Sequence, residues 1–450
     1  MKMLRLPLPA LLLAVTFAVP PATAASFRWA NDGDVATMDP DMLQETVQLS
    51  FLSNVYEPLV RRDKDLKLEP ALATSWEQTS PTVWRFHLRA DVKFHDGSPF
   101  SADDVLFSLT RIQAETSAMR APMSMVKQAR KIDDLTVDFE TAHPDPILPQ
   151  EVTNFLIMSK AWCDAHGADE PVQLGKADNY AVHNAMGTGP YKLVSREPDR
   201  RTVVERNPAW WDKLPGNADT VEFDVIASAS TRVAALLSGE EDMVYSVPPQ
   251  DMSRIAAAPG LHLLQHPELR TIYLGFDLTR DELPSSDVKG KNPFKDQRVR
   301  QAFSLAIDEN LIASKVMLGL AHPTWLMWGP GVNGYDPKLD VRPKPDLAKA
   351  KQLMAAAGYP NGFKVTFDCP NDRYVMDEQI CTAISSMLAR IGVKVDLLAQ
   401  TKAKYFAKIL QTDLPTVPLH QQVIVWAAKK SVDVAQPADN FFPYRYITVK

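Results

Sequence analysis

Phe363-Lys364-Val365-Thr366-Phe367-Asp368 leads into Cys369-Pro370-Asn371-Asp372-Arg373-Tyr374, and residues 391–397 close the stretch as Ile391-Gly392-Val393-Lys394-Val395-Asp396-Leu397. Phe363, Val365 and Phe367 alternate with polar residues, the two-residue period of a strand. Ile380, Ile384, Met387, Leu388 and Ile391 then repeat at helical spacing, and Gly392 supplies a stop. Val393, Val395 and Leu397 restore the two-residue period. A strand, a helix of about 14 residues and a second strand make a βαβ unit, whose strands are parallel because a crossover of that length returns the chain to the same edge. The fold class is α/β.

Working outward, Asp346 caps a helix that stops at Gly358, before Pro360, and Val299, Ala302, Phe303, Ala306 and Ile307 share another helix face. Further towards the amino end the pattern is less regular. Trp84, Phe86 and Leu88 alternate as a strand, Asp96-Gly97 marks a turn, and Ser101-Ala102-Asp103-Asp104 opens a helix whose apolar face continues through Val105, Leu109 and Ile112. Ser26-Phe27-Arg28-Trp29-Ala30 reads as an edge strand, leading into the loop Thr37-Met38-Asp39-Pro40. No repeat of 20–50 residues is present.

The chain has 450 residues, 45% hydrophobic and 23% charged, with a formal charge of -6. Such a length calls for two or three packed units. The acidic balance argues against a nucleic-acid partner, and a mean hydropathy of -0.19 argues against a membrane bundle. Lys2 and Arg5, the apolar run from Leu11 to Val19, and Ala22-Thr23-Ala24 read as a cleavable secretory signal over residues 1–24. Export to an oxidising compartment makes a disulfide expected. Cys369 ends a strand and Cys381 lies about one turn into the next helix, so the pair 369–381 is chosen over Cys163; three buried thiols is the alternative.

Signatures of catalysis are missing. No Gly-x-Ser-x-Gly elbow, phosphate loop, Cys-x-x-Cys or His-Glu-x-x-His occurs. His262 and His266 sit on a strand-like run, which separates them. The chain reads as no enzyme, with neither cofactor nor metal. Aromatic side chains beside turn residues stand out instead. Trp325-Leu326-Met327-Trp328-Gly329-Pro330-Gly331 places two indoles at an irregular loop. Asn371, Arg373 and Tyr374 lie at the carboxyl end of a parallel strand, where α/β sheets present ligand sites. Arg373 suits a carboxylate and a stacked tryptophan suits a side chain. The candidate ligand-binding set is Met38, Trp325, Trp328, Asn371, Arg373 and Tyr374.

The blocks Asn54-Val55-Tyr56-Glu57-Pro58-Leu59, Glu69-Pro70-Ala71-Leu72-Ala73-Thr74-Ser75-Trp76-Glu77, Phe94-His95-Asp96-Gly97, Gly187-Thr188-Gly189-Pro190-Tyr191, Arg206-Asn207-Pro208-Ala209-Trp210-Trp211, Val299-Arg300-Gln301-Ala302-Phe303 and Pro418-Leu419-His420-Gln421-Gln422 stand in one order along the chain. In them the sequence resembles the family 5 extracellular solute-binding proteins of bacterial ABC transporters, the dipeptide, oligopeptide and nickel binders. The resemblance implies a two-lobed periplasmic binding protein fold (type II, cluster C-like) that closes on ligand. Lobe I would take residues 25–268, with an extra subdomain at about 60–180. Lobe II would take 269–413, and 414–450 would return to lobe I. It also implies a periplasmic, monomeric protein that binds peptides or another small solute and delivers them to a permease and ATPase complex. Arg373 matches the family's carboxylate-holding arginine.

One departure stands out. Family members carry several dozen further residues after the strand that matches residues 393–397, including an acidic loop that pairs with a peptide's amino group. Here the chain runs almost directly from Tyr405 to Leu414. A gene deletion, a gene-model error or a lobe trimmed for another ligand would each produce this shortening. Loss of a central strand would weaken both peptide binding and stability. A nickel, opine or haem binder on the same fold, a non-functional copy, and a periplasmic sensor or chaperone are the competing readings.

Overall fold

The computed structural model describes residues 25–330, 332, 334–371, 373–401, 404–405 and 416–450. Residues 1–24, read above as a secretory signal, and the junction residues 406–414 lie outside the described residues.

Ser26–Asn31 is a central strand, not an edge strand. It pairs in parallel with Thr220–Val225 on one side and Met243–Val244 on the other. Phe27, Trp29 and Ala30 are all buried, as a parallel strand covered on both faces requires. The outward-looking Arg28 that suggests an edge is tied down instead, its backbone N–H donating to Asp242. Arg201–Arg206 and Tyr191–Glu197 extend the sheet by antiparallel pairing. Trp29 stacks on Phe223, with ring centroids 4.4 Å apart.

A second sheet of four antiparallel strands runs Ala73–Ser80, Val83–Leu88, Thr136–Thr141, Val126–Asp133. It packs with the helix Ala102–Ile112, whose capping box joins Ser101 and Asp104 as the sequence predicts. Arg111, near the end of that helix, is wholly buried. It donates to Asp39 Oδ1 at 2.7 Å, Asp41 Oδ2 at 2.6 Å and the Ala168 carbonyl at 3.1 Å, welding the Asp39 loop to the subdomain.

The second lobe holds the βαβ unit. Lys364–Pro370 and Lys394–Gln400 pair in parallel, with Asp377–Ala389 between them in sequence. Helices Gln297–Ala306 and Leu347–Ala356 share its core of Phe294, Phe303, Phe363, Ile384 and Leu388. A cavity of about 500 Å³ separates the end of the Leu261–Gly275 strand from Lys364–Pro370, and Phe276, Phe294, Phe303 and Leu388 are among its lining residues.

Two long antiparallel strands, Leu261–Gly275 and Thr416–Lys429, run through both lobes. Leu261 and Val425 pack in a first-lobe cluster, whereas Leu274, Val417 and Leu419 pack in the second-lobe core. The register breaks between Pro267 and Thr271. Along these strands the packing passes from one cluster to the other between Leu261 and Leu274, and between Leu419 and Val423.

Candidate functional site

The register break leaves Glu268, Leu269 and Arg270 outside the ladder, at the passage between the lobes. Three other segments meet them there. The first is the loop after Lys364–Pro370. Its Arg373 and Tyr374 N–H groups both donate to Asp377 Oδ2, at 3.0 and 3.1 Å, and Met376 at φ 58° turns the chain into the Asp377–Ala389 helix. A disulfide joins Cys369 to Cys381 across this loop, with Cα atoms 6.5 Å apart. The second is Thr416–Lys429: Gln422 Oε1 accepts from the Val375 N–H at 3.2 Å, and its Nε2 donates to Glu268 at 3.1 Å. The third is the amino end of the helix Thr46–Leu52 in the first lobe, capped by Glu45.

Glu45 divides its carboxylate. Oε2 accepts from the Val47 and Gln48 N–H groups at 2.8 and 3.1 Å, while Oε1 lies 3.8 Å from the Arg373 guanidinium across the lobes. Glu268 is only 3% exposed and also accepts from the Asn440 amide. Burial pushes its carboxyl up to about 7, against the pull of Arg270 and Arg373. Arg270 lies 3.5 Å from Glu268. The Arg270 and Arg373 guanidinium carbons stand 5.8 and 5.3 Å from the centroid of the same Tyr374 ring.

Arg373 and Tyr374 are thus at the passage. The tryptophan loop reaches the same strand one residue away. A Cβ on Gly329 would fall 1.2 Å from Gln421 Nε2, so only glycine lets this backbone lie against the Gln421 amide. Trp325 and Trp328 remain 37% and 45% exposed, with the Arg342 guanidinium over Trp325 at 5.3 Å. Two candidates stand elsewhere. Met38 is fully buried in the first-lobe core, where its carbonyl accepts from Tyr56 Oη. Asn371 is exposed and its N–H continues the ladder to the Gln400 carbonyl. Glu45, Glu268 and Arg270 escape sequence reasoning. Glu268 and Arg270, the two charged residues just behind Pro267 in a strand with no other acid, lysine or arginine, are the signal that could have found two of them. Among the described residues no group of three or more His, Cys, Asp or Glu could hold a metal ion.

Comparison with known proteins follows this geometry. Residues 67–430 match the description "Bacterial extracellular solute-binding proteins, family 5 Middle". The chain is 28% identical over 413 residues to the glutathione-binding protein GsiB of Pectobacterium atrosepticum, a match covering 88% of this chain and 74% of that protein. It is 27% identical over 409 residues to the dipeptide-binding protein of Escherichia coli, covering 83% and 69%. Among solved structures, the binding protein AgaA from A. tumefaciens R10, in complex with agropinic acid, superposes with a TM-score of 0.79 at 23% identity, covering 95% of this chain and 99% of that one. The two-lobed binding-protein architecture expected from the sequence is the fold observed.

Proposed function

The chain belongs to the bacterial extracellular solute-binding proteins of family 5, and from that premise we propose that it captures a carboxylate-bearing solute of the peptide class in the periplasm and presents it to an ABC permease and its ATPase. The observation that carries this reading is Arg373. It sits on a loop held by Asp377, Gln422 and the Cys369–Cys381 bridge, and it faces the opposite lobe with Glu45 at 3.8 Å. A fixed arginine fork is suited to a carboxylate in a way that a solvated surface charge is not. Tyr374, Trp325 and Trp328 supply aromatic surface nearby for a side chain. Closure around the ligand would then create the shape that the permease reads. The dipeptide- and glutathione-binding relatives support a small peptide-like ligand, and the absence of a nucleophile–base pair in the sequence supports a binding rather than a chemical role.

A second reading is favoured by one observation. The relatives are longer than the portion matched here, and a cavity of about 500 Å³ lies where two strands of the second lobe fail to meet. A shortened lobe of this kind would bind weakly or not at all. A thermal-shift screen of the purified full chain with di- to pentapeptides separates the two readings. Stabilisation by a peptide, abolished by Arg373→Ala, supports capture. A flat response across the panel supports the impaired copy.

A further inference from the structure

The site holds two arginines, and the proposal above uses one. Each guanidinium carries five N–H donors in a rigid fork. Among the described residues neither the Arg270 nor the Arg373 side chain hydrogen-bonds to another group; Arg270 lies 3.5 Å from Glu268 and Arg373 3.8 Å from Glu45. Both side chains are 22% exposed. They are therefore largely removed from bulk water, yet their donors are not taken up by protein.

The two carboxylates opposite them are already engaged. Glu45 Oε2 is occupied by two backbone N–H groups of the helix it caps. Glu268 accepts from the Gln422 and Asn440 amides, and burial raises its carboxyl to about 7. The positive charge of the pair is incompletely answered. Both forks lie beside one aromatic ring, Tyr374, so the two cations can be no further apart than the sum of their distances to it. Cations partly removed from water with donors left open favour an anionic ligand that takes those donors up.

We propose that the interlobe site takes a ligand with two carboxylates, Arg373 holding one and Arg270 the other, beside the Tyr374 ring. The inference rests on the reading of Arg373 as the carboxylate holder and extends it by naming the charge class. Arg270 becomes the residue that selects dianionic over monoanionic peptides. It sits on the strand that passes between the lobes, so the second carboxylate engages the hinge region itself.

The test uses isothermal titration of the full chain with Ala-Glu and Ala-Gln, which differ in one carboxylate and hardly in shape. Ala-Glu is expected to bind at least tenfold more tightly at pH 7.5. Arg270→Gln should abolish that ratio, and Arg270→Lys should restore part of it, since charge remains and the fork is lost. Arg373→Gln should weaken both peptides at least tenfold. Equal binding of the two peptides, or a ratio unchanged in Arg270→Gln, overturns the dianion proposal and leaves Arg373 standing. Binding insensitive to Arg373→Gln, or no binding of either peptide, overturns both.

Discussion

Replacing Cys369 and Cys381 by serine probes how the binding loop is held. The bridge spans 12 residues and encloses the loop that carries Arg373 and Tyr374. Loop-closure entropy for a span of that size amounts to about 3 kcal/mol of stability. The double variant should therefore shift the urea midpoint downward by the equivalent of about 3 kcal/mol without changing the slope. Its loop would still be anchored by Asp377 and Gln422, so ligand affinity should fall less than in Arg373→Ala. Cys163 provides an internal control: it is buried, and burial pushes its thiol up to about 12, so it stays unreactive in the native state. Alkylation of the denatured protein should label one cysteine without reductant and three with it. An unchanged urea midpoint in the double variant, with the parent shown by alkylation to be oxidised, would refute the reasoning.

Three further expectations follow from other contacts. Arg111→Leu strands Asp39 and Asp41 without their buried cation, and should cost about 3–5 kcal/mol in denaturant unfolding, with part of the loss recovered when both acids become asparagine. Glu268 has its carboxyl raised by burial, so its contribution to folding is present at acid pH and is lost as pH rises through about 7. The groups facing it are Arg270, Arg373 and the amides of Gln422 and Asn440, and Glu268→Gln should flatten the fall in melting temperature between about pH 4.5 and 7. Gly329→Ala forces a methyl into the Gln421 amide and should cost about 1–3 kcal/mol, a loss that Gln421→Ala in the same chain should relieve.

Local chemistry was legible wherever one element decided it. The alternation of Phe363, Val365 and Phe367 and the helical spacing of Ile380, Ile384 and Leu388 gave the βαβ unit, and Ser101 with Asp104 gave a helix start, because period and capping are properties of neighbours in sequence. Ser26–Asn31 was misplaced at an edge because burial on both faces comes from partners roughly 190 and 215 residues away, at Thr220–Val225 and Met243–Val244. Arg373 and Tyr374 could be picked from their position after a parallel strand. Glu45 could not, because its value at the site depends on a helix cap in one lobe meeting an arginine in the other. Met38 looked like a loop residue and lies instead under Tyr56, since a turn sequence does not reveal which side chain folds inward.

The break at Pro267–Thr271 carries a mechanical consequence. Two unbroken strands pass between the lobes, so their relative movement is a torsion of a ribbon, with its compliance gathered in the few residues that leave the ladder. Glu268 and Arg270 occupy that compliant point. A ligand group held there would have almost no lever arm and would stiffen the axis rather than pull the jaws, while Arg373, on the loop after Lys364–Pro370, acts further out. Ligands that reach only Arg373 would close the lobes and leave them free to twist, whereas ligands that reach Arg270 as well would damp the twist.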